Sequence, residues 1–174
     1  RYWDDARTGI NVADFISTDS SSLALNLLDT GHADAIWDKG LVPAELMDVL
    51  RDKPYTLLFD YLATYFYRYN VTRPPFNDAR VRWALLMAID KERIVTRITR
   101  SGEQVARVLV PPYVKGYTPP AGLPYDPAAA RKLLAEAGFP GGQGFPVFDY
   151  LFNTSEQNKQ IAVELQDMWR RELG

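Results

Sequence analysis

The sequence contains no cysteine and only one histidine, His32. The absence of cysteine excludes disulfide bonds, thiolate zinc sites, iron–sulfur clusters and a cysteine nucleophile within these 174 residues. A single histidine excludes most histidine-based metal sites and catalytic triads, and no sequence motif implies a cofactor. Calcium-type loops of closely spaced aspartates are missing as well. The composition therefore argues against most metal chemistry and most covalent catalysis.

The sequence also lacks a large excess of positive or negative charge and any long run of apolar residues. The 20 Lys and Arg residues nearly balance the 22 Asp and Glu residues, which gives a net charge of −2. Without a basic block, the sequence predicts no nucleic-acid partner. Without a run of about 18 apolar residues, it predicts no membrane-spanning helix. The first residue is Arg1 and no signal peptide is visible, which indicates a processed chain or a piece of a longer one.

The residues that are present are typical of a folded globular protein. Hydrophobic residues make up 47% and aromatic residues 13% of the chain. The length predicts one domain over residues 1–174. Capping residues and apolar periodicity predict helices that start at Asp19–Ser22, at Pro43, at Asn77 or Asp78, at Asp90 and at Asp126. A further helix is predicted after Thr154–Gln157, which has the spacing of a capping box.

Segments with β-branched, aromatic or alternating apolar residues fall between these predicted helices. They indicate strands, and their ranges are 10–16, 33–37, 55–59, 63–69 and 146–152. Strands that alternate with helices are typical of α/β layers, so we predict an α/β fold.

Two polar motifs are candidates for chemistry. His32 and Asp34 follow the end of a predicted helix. In a hydrolase, His32 would be the base, Asp34 the carboxylate that orients it, and a nearby serine the nucleophile. No G-x-S-x-G motif accompanies them, and a polar turn explains His32 equally well. Gly141–Gly144 precedes a predicted strand instead of a helix, so it is interpreted as a turn and not as a phosphate-binding loop.

The aromatic run before the third predicted helix is a candidate for binding. In a regular strand, Tyr65, Tyr67 and Tyr69 share one face, where three phenols can stack on a ligand or on a second domain. Core packing is the alternative interpretation. On the residues alone, the sequence favours a binding or structural module over an enzyme.

Two long motifs resemble the extracytoplasmic solute-binding proteins of peptide and nickel ABC importers. Residues 69–90 (YNVTRPPFNDARVRWALLMAID) are similar to the family signature, and residues 125–138 (YDPAAARKLLAEAG) are similar to a second family motif. The opening Tyr2-Trp3-Asp4 fits the same order. The resemblance covers essentially the whole chain.

The resemblance implies one lobe of a type II periplasmic-binding-protein-like fold, with a mixed sheet flanked by helices. It implies that residues 1–174 form most of the second lobe of a two-lobed receptor, without the first lobe and the final segment. Such receptors close on a ligand, and the permease subunits in the membrane recognise the closed form. The implied location is periplasmic or extracytoplasmic, with or without a lipid anchor.

The implied function is capture of oligopeptides for an ABC importer, with no enzymatic step. The expected ligand-binding residues are Asn153, Thr154, Ser155, Tyr67 and Tyr69, and helix capping competes with ligand contact as the role of residues 153–155. Two alternatives stay open: the same scaffold with a metal chelate, haem, opine or oligosaccharide as its ligand, and a hydrolase that uses His32.

Overall fold

Among the residues that the structure describes, all regular secondary structure is helical. The computed structural model describes residues 4–59 and 61–174, so Tyr2 and Trp3 of the opening motif lie outside the described residues. The α-helices are α1 (Ser21–Asp29), α2 (Met47–Leu50), α3 (Ala79–Met87), α4 (Lys91–Arg93), α5 (Pro127–Glu136) and α6 (Glu156–Leu173). A π-helix over Ile94–Thr99 continues α4, and 3-10 turns occupy Asp5–Arg7, Lys39–Leu41, Ala44–Leu46 and Pro140–Gly142. None of the helices in the described ranges is long and apolar enough to cross a membrane.

The starts of α3, α4 and α5 lie where local sequence signals predict them. Asp78, Asp90 and Asp126 each accept a hydrogen bond from a backbone N–H two or three residues ahead, at the starts of α3, α4 and α5. Gly31 and Gly138 follow α1 and α5 with φ of 74° and 98°. Glycine adopts this left-handed conformation without the steric cost of a Cβ atom, which explains both stops. The caps predicted for α3, α4 and α5 are confirmed.

Three helices, α3, α5 and α6, build the main core. Small side chains at Ala84, Ala88 and Ala130 are fully buried, which lets the backbones of α3 and α5 approach closely. The other buried members are Val81, Leu85, Met87, Leu134 and Leu173. This core confirms the apolar stripe that the sequence predicts for α3.

Polar bonds fix how these helices meet. The Trp169 indole N–H donates to the Leu85 carbonyl at 2.9 Å and ties α6 to α3. The backbone N–H of Asp126 donates to the Met87 carbonyl, also at 2.9 Å, and joins the start of α5 to the end of α3. Both bonds satisfy carbonyls near the end of α3 that lack a partner within the helix.

The predicted mixed sheet is wrong for the described residues. None of residues 4–59 and 61–174 is in a β-strand, so these residues do not form the mixed sheet that the sequence and the resemblance led us to expect. Segments 10–16, 33–37, 55–59, 63–69 and 146–152 are irregular. Most of their large apolar side chains are exposed.

The missing strands have a physical reason. A β-strand forms only when a neighbouring strand supplies the hydrogen bonds of a ladder. A composition rich in β-branched and aromatic residues indicates only that the side chains would fit the surface of a sheet. In segment 63–69 the Ala63 N–H bonds the carbonyl of Tyr61, two residues before it, at 2.8 Å, which is a local turn and not a ladder.

Glu103 joins two distant turns through its carboxylate. Lys39 Nζ donates to it at 2.9 Å, Thr99 Oγ1 at 2.8 Å and the Ser101 N–H at 3.1 Å. Partial burial acts to raise the pKa of Glu103, but the bonds from Lys39 and Thr99 outweigh it and hold the pKa below its ordinary value. The ionised carboxylate therefore stabilises the native state.

We expect Glu103→Gln to lower the free energy of unfolding by about 1 kcal/mol at pH 7, because charge-assisted hydrogen bonds are lost at a partly exposed site. A carboxylate with a depressed pKa in the folded state stabilises above its unfolded pKa, and the contribution disappears as pH falls through the folded-state value. Urea unfolding at pH 7 and at about pH 3 measures the difference. Glu136→Gln, at a half-exposed site on α5, is the control. A difference that grows on acidification would contradict this account.

Candidate functional site

The site begins at the first turn of α6. Ser155 has extended backbone (φ −163°, ψ 153°), and its Oγ accepts the Asn158 N–H at 3.0 Å. The N-cap is therefore Ser155, one residue later than a capping box at Thr154–Gln157 would place it. Glu156 is the first residue of the helix, where its negative charge interacts favourably with the positive end of the helix dipole.

The first turn of α1 lies against the first turn of α6. The Ser20 hydroxyl caps α1 by accepting the Leu23 N–H, and the next residue, Ser21, donates its hydroxyl hydrogen to Glu156 Oε2 at 3.0 Å. Ser21 is buried. This bond joins residues 135 positions apart in the sequence. It fixes the Glu156 carboxylate and holds two helix N-termini side by side.

An open cleft of about 280 Å³ lies beside this junction. Its walls carry two carboxylates, one ammonium, two hydroxyls and one aromatic ring, from Asp19, Glu156, Lys159, Thr154, Ser155 and Phe152. The lining is mostly polar, with Phe152 as its one aromatic side chain, whereas typical ligand pockets are mostly apolar; the volume is close to the lower end of their usual range. The groups in the cleft can donate and accept hydrogen bonds to a polar ligand.

Asn158 links the cleft to the aromatic run. Its Oδ1 accepts the Tyr65 hydroxyl hydrogen at 3.3 Å, and its Nδ2 donates to the Asn153 carbonyl at 3.2 Å. Asn158 was not predicted from the sequence, although its position three residues after a capping serine was a usable signal. Tyr65 is separated from it by 93 residues, so their contact has no local signature.

An aromatic row continues from Tyr65 toward the cleft. Ring centroids are 5.4 Å apart for Tyr65 and Tyr67, 5.0 Å for Tyr67 and Tyr150, and 5.7 Å for Tyr150 and Phe152. Burial raises the pKa of Tyr67, and the neighbouring Tyr150 phenol adds to the shift. Burial also raises the pKa of Tyr150. Both phenols stay protonated at neutral pH and can act as hydrogen-bond donors.

The structure brings four of the five predicted ligand-binding residues into one region. The turn before α6 contains Asn153, Thr154 and Ser155, and the last two line the cleft. Tyr67 is connected to this cleft through Tyr150, whose ring contacts the cleft residue Phe152. Tyr69 does not border the cleft: its ring stacks on Phe76 with centroids 5.5 Å apart, at the edge of the helical core. Burial raises the pKa of Tyr69 to about 12.

His32 lies at the opposite end of α1 from the cleft. Its Nδ1 is 2.9 Å from the hydroxyl of Thr30, in an exposed turn. Within the described ranges, no serine hydroxyl is hydrogen-bonded to this ring. The turn after α1 accounts for the position of His32 because Gly31 there adopts the left-handed conformation.

Comparison with known proteins identifies the family. The family model described as bacterial extracellular solute-binding proteins, family 5 Middle, matches residues 1–174. The periplasmic oligopeptide-binding protein OppA of Salmonella typhimurium is 35% identical over 100% of this chain and 33% of its own length. The periplasmic murein peptide-binding protein MppA of Escherichia coli is 31% identical, over 99% of this chain and 33% of its own.

A solved structure agrees with this assignment. The periplasmic oligopeptide-binding protein OppAIV of Borrelia burgdorferi superposes with a TM-score of 0.83 at 31% identity, over 91% of this chain and 31% of that one. The chain belongs to family 5 of the bacterial extracellular solute-binding proteins, which confirms the resemblance seen in the sequence. It spans about a third of the length of the curated relatives that it matches.

Proposed function

We propose that this chain is part of an extracytoplasmic receptor that captures oligopeptides for an ABC importer. The observation that carries the proposal is the match with the Salmonella oligopeptide-binding protein at 35% identity along the whole chain. In the longer receptor, residues 1–174 supply most of the second of two lobes, which close on the ligand and present a surface to the permease subunits. Binding requires no covalent step.

The cleft at the start of α6 is the proposed ligand contact within this chain. Thr154 and Ser155 offer hydroxyls, and Lys159 and Glu156 offer one charge of each sign to a peptide, which is itself dipolar. The Asn158 amide adds a donor and an acceptor next to the Tyr65 and Asn153 contacts. The proposal does not extend to Tyr69, because its ring lies against Phe76.

The first test is mass spectrometry of small molecules extracted from the purified full-length receptor. A ladder of peptide masses is the expected result. A single non-peptidic mass would keep the family and replace the peptide with another solute. An empty extract leads to thermal-shift screening with a peptide library, in which a ligand raises Tm by binding only the folded state. A receptor that no peptide stabilises would contradict the proposal.

A variant at Asn158 tests the location of the site. We expect Asn158→Ala in the full-length receptor to weaken peptide binding about tenfold, because it removes amide groups that hold Tyr65 and the 153–155 turn. Calorimetry with a peptide identified in the extract measures the change. Gln160→Ala, on an exposed part of the same helix, is the matched control. Equal affinity in the two variants would place the ligand elsewhere.

A further inference from the structure

A second, smaller cleft lies between the end of α3, the start of α4 and the segment that joins the π-helix to α5. Its volume is about 50 Å³. A water molecule needs at least roughly 10–15 Å³, so this cleft has room for a group of about four heavy atoms. Apolar residues form the largest share of its wall, and they are Leu86, Ile89, Val105, Leu123 and Pro124. It shares no lining residue with the cleft at α6, so the two are separate places on the chain.

The backbone around this second cleft is held in place by close contacts. Lys91 Nζ donates a hydrogen bond to the Ala106 carbonyl at 3.0 Å, which ties the start of α4 to residues 105–107. Gly122 lies so close to the Arg107 carbonyl that a Cβ atom there would collide with it. Residues 105–107 and 122–125 therefore run close together beside α4, and the cleft between them exists before any ligand binds.

Four charged residues also border the second cleft, and three of them have partners. The Asp90 carboxylate accepts the Arg93 N–H at 3.0 Å as the cap of α4. Glu92 and Arg107 lie 3.7 Å apart, and both side chains are largely exposed. Within residues 4–59 and 61–174, the Lys91 ammonium group has the Ala106 carbonyl as its one hydrogen-bond partner and no carboxylate. The charge that stays uncompensated at the cleft is therefore the positive charge of Lys91.

The surroundings of Lys91 disfavour this charge. Burial lowers the pKa of the partly buried Lys91, and the nearby Arg107 guanidinium adds to the shift. A carboxylate placed on Nζ would offset both effects and accept the remaining N–H donors in a charge-assisted hydrogen bond. The apolar wall offers a surface to a hydrocarbon tail on the same molecule.

We propose that the second cleft binds a short-chain monocarboxylate of the size of acetate or propionate, with its carboxylate on Lys91 Nζ and its tail against the apolar wall. The volume excludes a peptide. An inorganic anion would gain nothing from the wall at Leu86, Ile89 and Leu123. The inference goes beyond peptide capture and does not depend on it, because the two clefts share no lining residue.

Acetylation of Lys91 in the full-length receptor, with propionate as the probe ligand, tests the inference. An acetyl ester of N-hydroxysuccinimide acylates the free amine, and peptide mapping by mass spectrometry gives the rate at each lysine. We expect saturating propionate to slow the acetylation of Lys91 about tenfold, because a bound carboxylate shields the amine and favours its unreactive ammonium form. Lys132 on α5, whose side chain is 78% exposed, is the control and should react at an unchanged rate.

Two further ligands separate recognition of a carboxylate from weaker explanations. Propionamide has the same shape without the charge, and sodium chloride at equal ionic strength supplies an anion without the tail. Neither should change the rate at Lys91. Equal slowing by propionamide or by chloride would overturn the inference, and so would a rate at Lys91 that propionate leaves unchanged. A Lys91 that does not react even without propionate would mean that polypeptide from elsewhere in the receptor fills the cleft, which also overturns it.

A charge-removing variant tests the role of Lys91 directly. We expect Lys91→Met, which keeps an unbranched apolar side chain, to bind propionate at least about tenfold more weakly by calorimetry, since the charge-assisted hydrogen bond is lost. Lys132→Met is the matched control, and equal affinities in the two variants would contradict the proposal. If Lys91→Met fails to fold, the acetylation rates of the unmodified receptor decide alone. Peptide affinity, measured on the same samples with and without propionate, reports on the proposed function independently.

Discussion

Leu165→Ala is expected to lower the free energy of unfolding by about 3 kcal/mol. The Leu165 side chain on α6 is 2% exposed, so its removal leaves a cavity that the surrounding side chains fill only in part. Helix α6 holds the Trp169 bond to α3 and, at its first turn, the cleft. A loss of this size would show that Leu165 anchors α6 in the core.

Val163→Ala on the same helix is the matched control. Val163 is 50% exposed, so truncation there removes little buried surface and is expected to change stability by less than about 1 kcal/mol. Urea unfolding monitored by tryptophan fluorescence measures both variants. Similar losses at the two positions would mean that Leu165 is not buried in the core.

The helices could be predicted because their signals are local. Asp126 followed by Pro127 sets the start of α5, and Gly138 sets its end, within a dozen residues of one another. Capping bonds and the left-handed glycine depend on immediate neighbours, so one sequence contains all the information that they need. The apolar spacing of α3 belongs to the same class of signal.

The strands could not be predicted because pairing is a long-range property. Segment 63–69 has strand-like composition, yet no ladder forms on it within the described ranges. The site divides in the same way. The start of α6 could be predicted to within one residue, since the cap is Ser155 and not Thr154. The junction with α1 depends instead on the Ser21–Glu156 bond across 135 positions, and the contact of Asn158 with Tyr65 spans 93. Nothing in the local sequence encodes either contact.

Gly122→Ala is expected to destabilise the native state by about 2 kcal/mol, since overpacking of this kind typically costs 1–3 kcal/mol. A Cβ atom at Gly122 would lie 1.9 Å from the Arg107 carbonyl oxygen, a main-chain atom that cannot rotate away. Lys91 Nζ donates to the adjacent Ala106 carbonyl at 3.0 Å, so the 106–107 backbone can move only by giving up this bond.

Gly9→Ala is the control for this substitution. No heavy atom lies within 4 Å of a Cβ atom built at Gly9, and its φ is not in the left-handed region, so the alanine is expected to be neutral or slightly stabilising. Thermal unfolding of the two variants separates the contact with Arg107 from the general effect of replacing a glycine. Equal Tm values for the two variants would show that the segment around Gly122 does not pack against Arg107 in solution. A lower Tm for Gly122→Ala alone would establish that the long segment between α4 and α5 is folded onto itself.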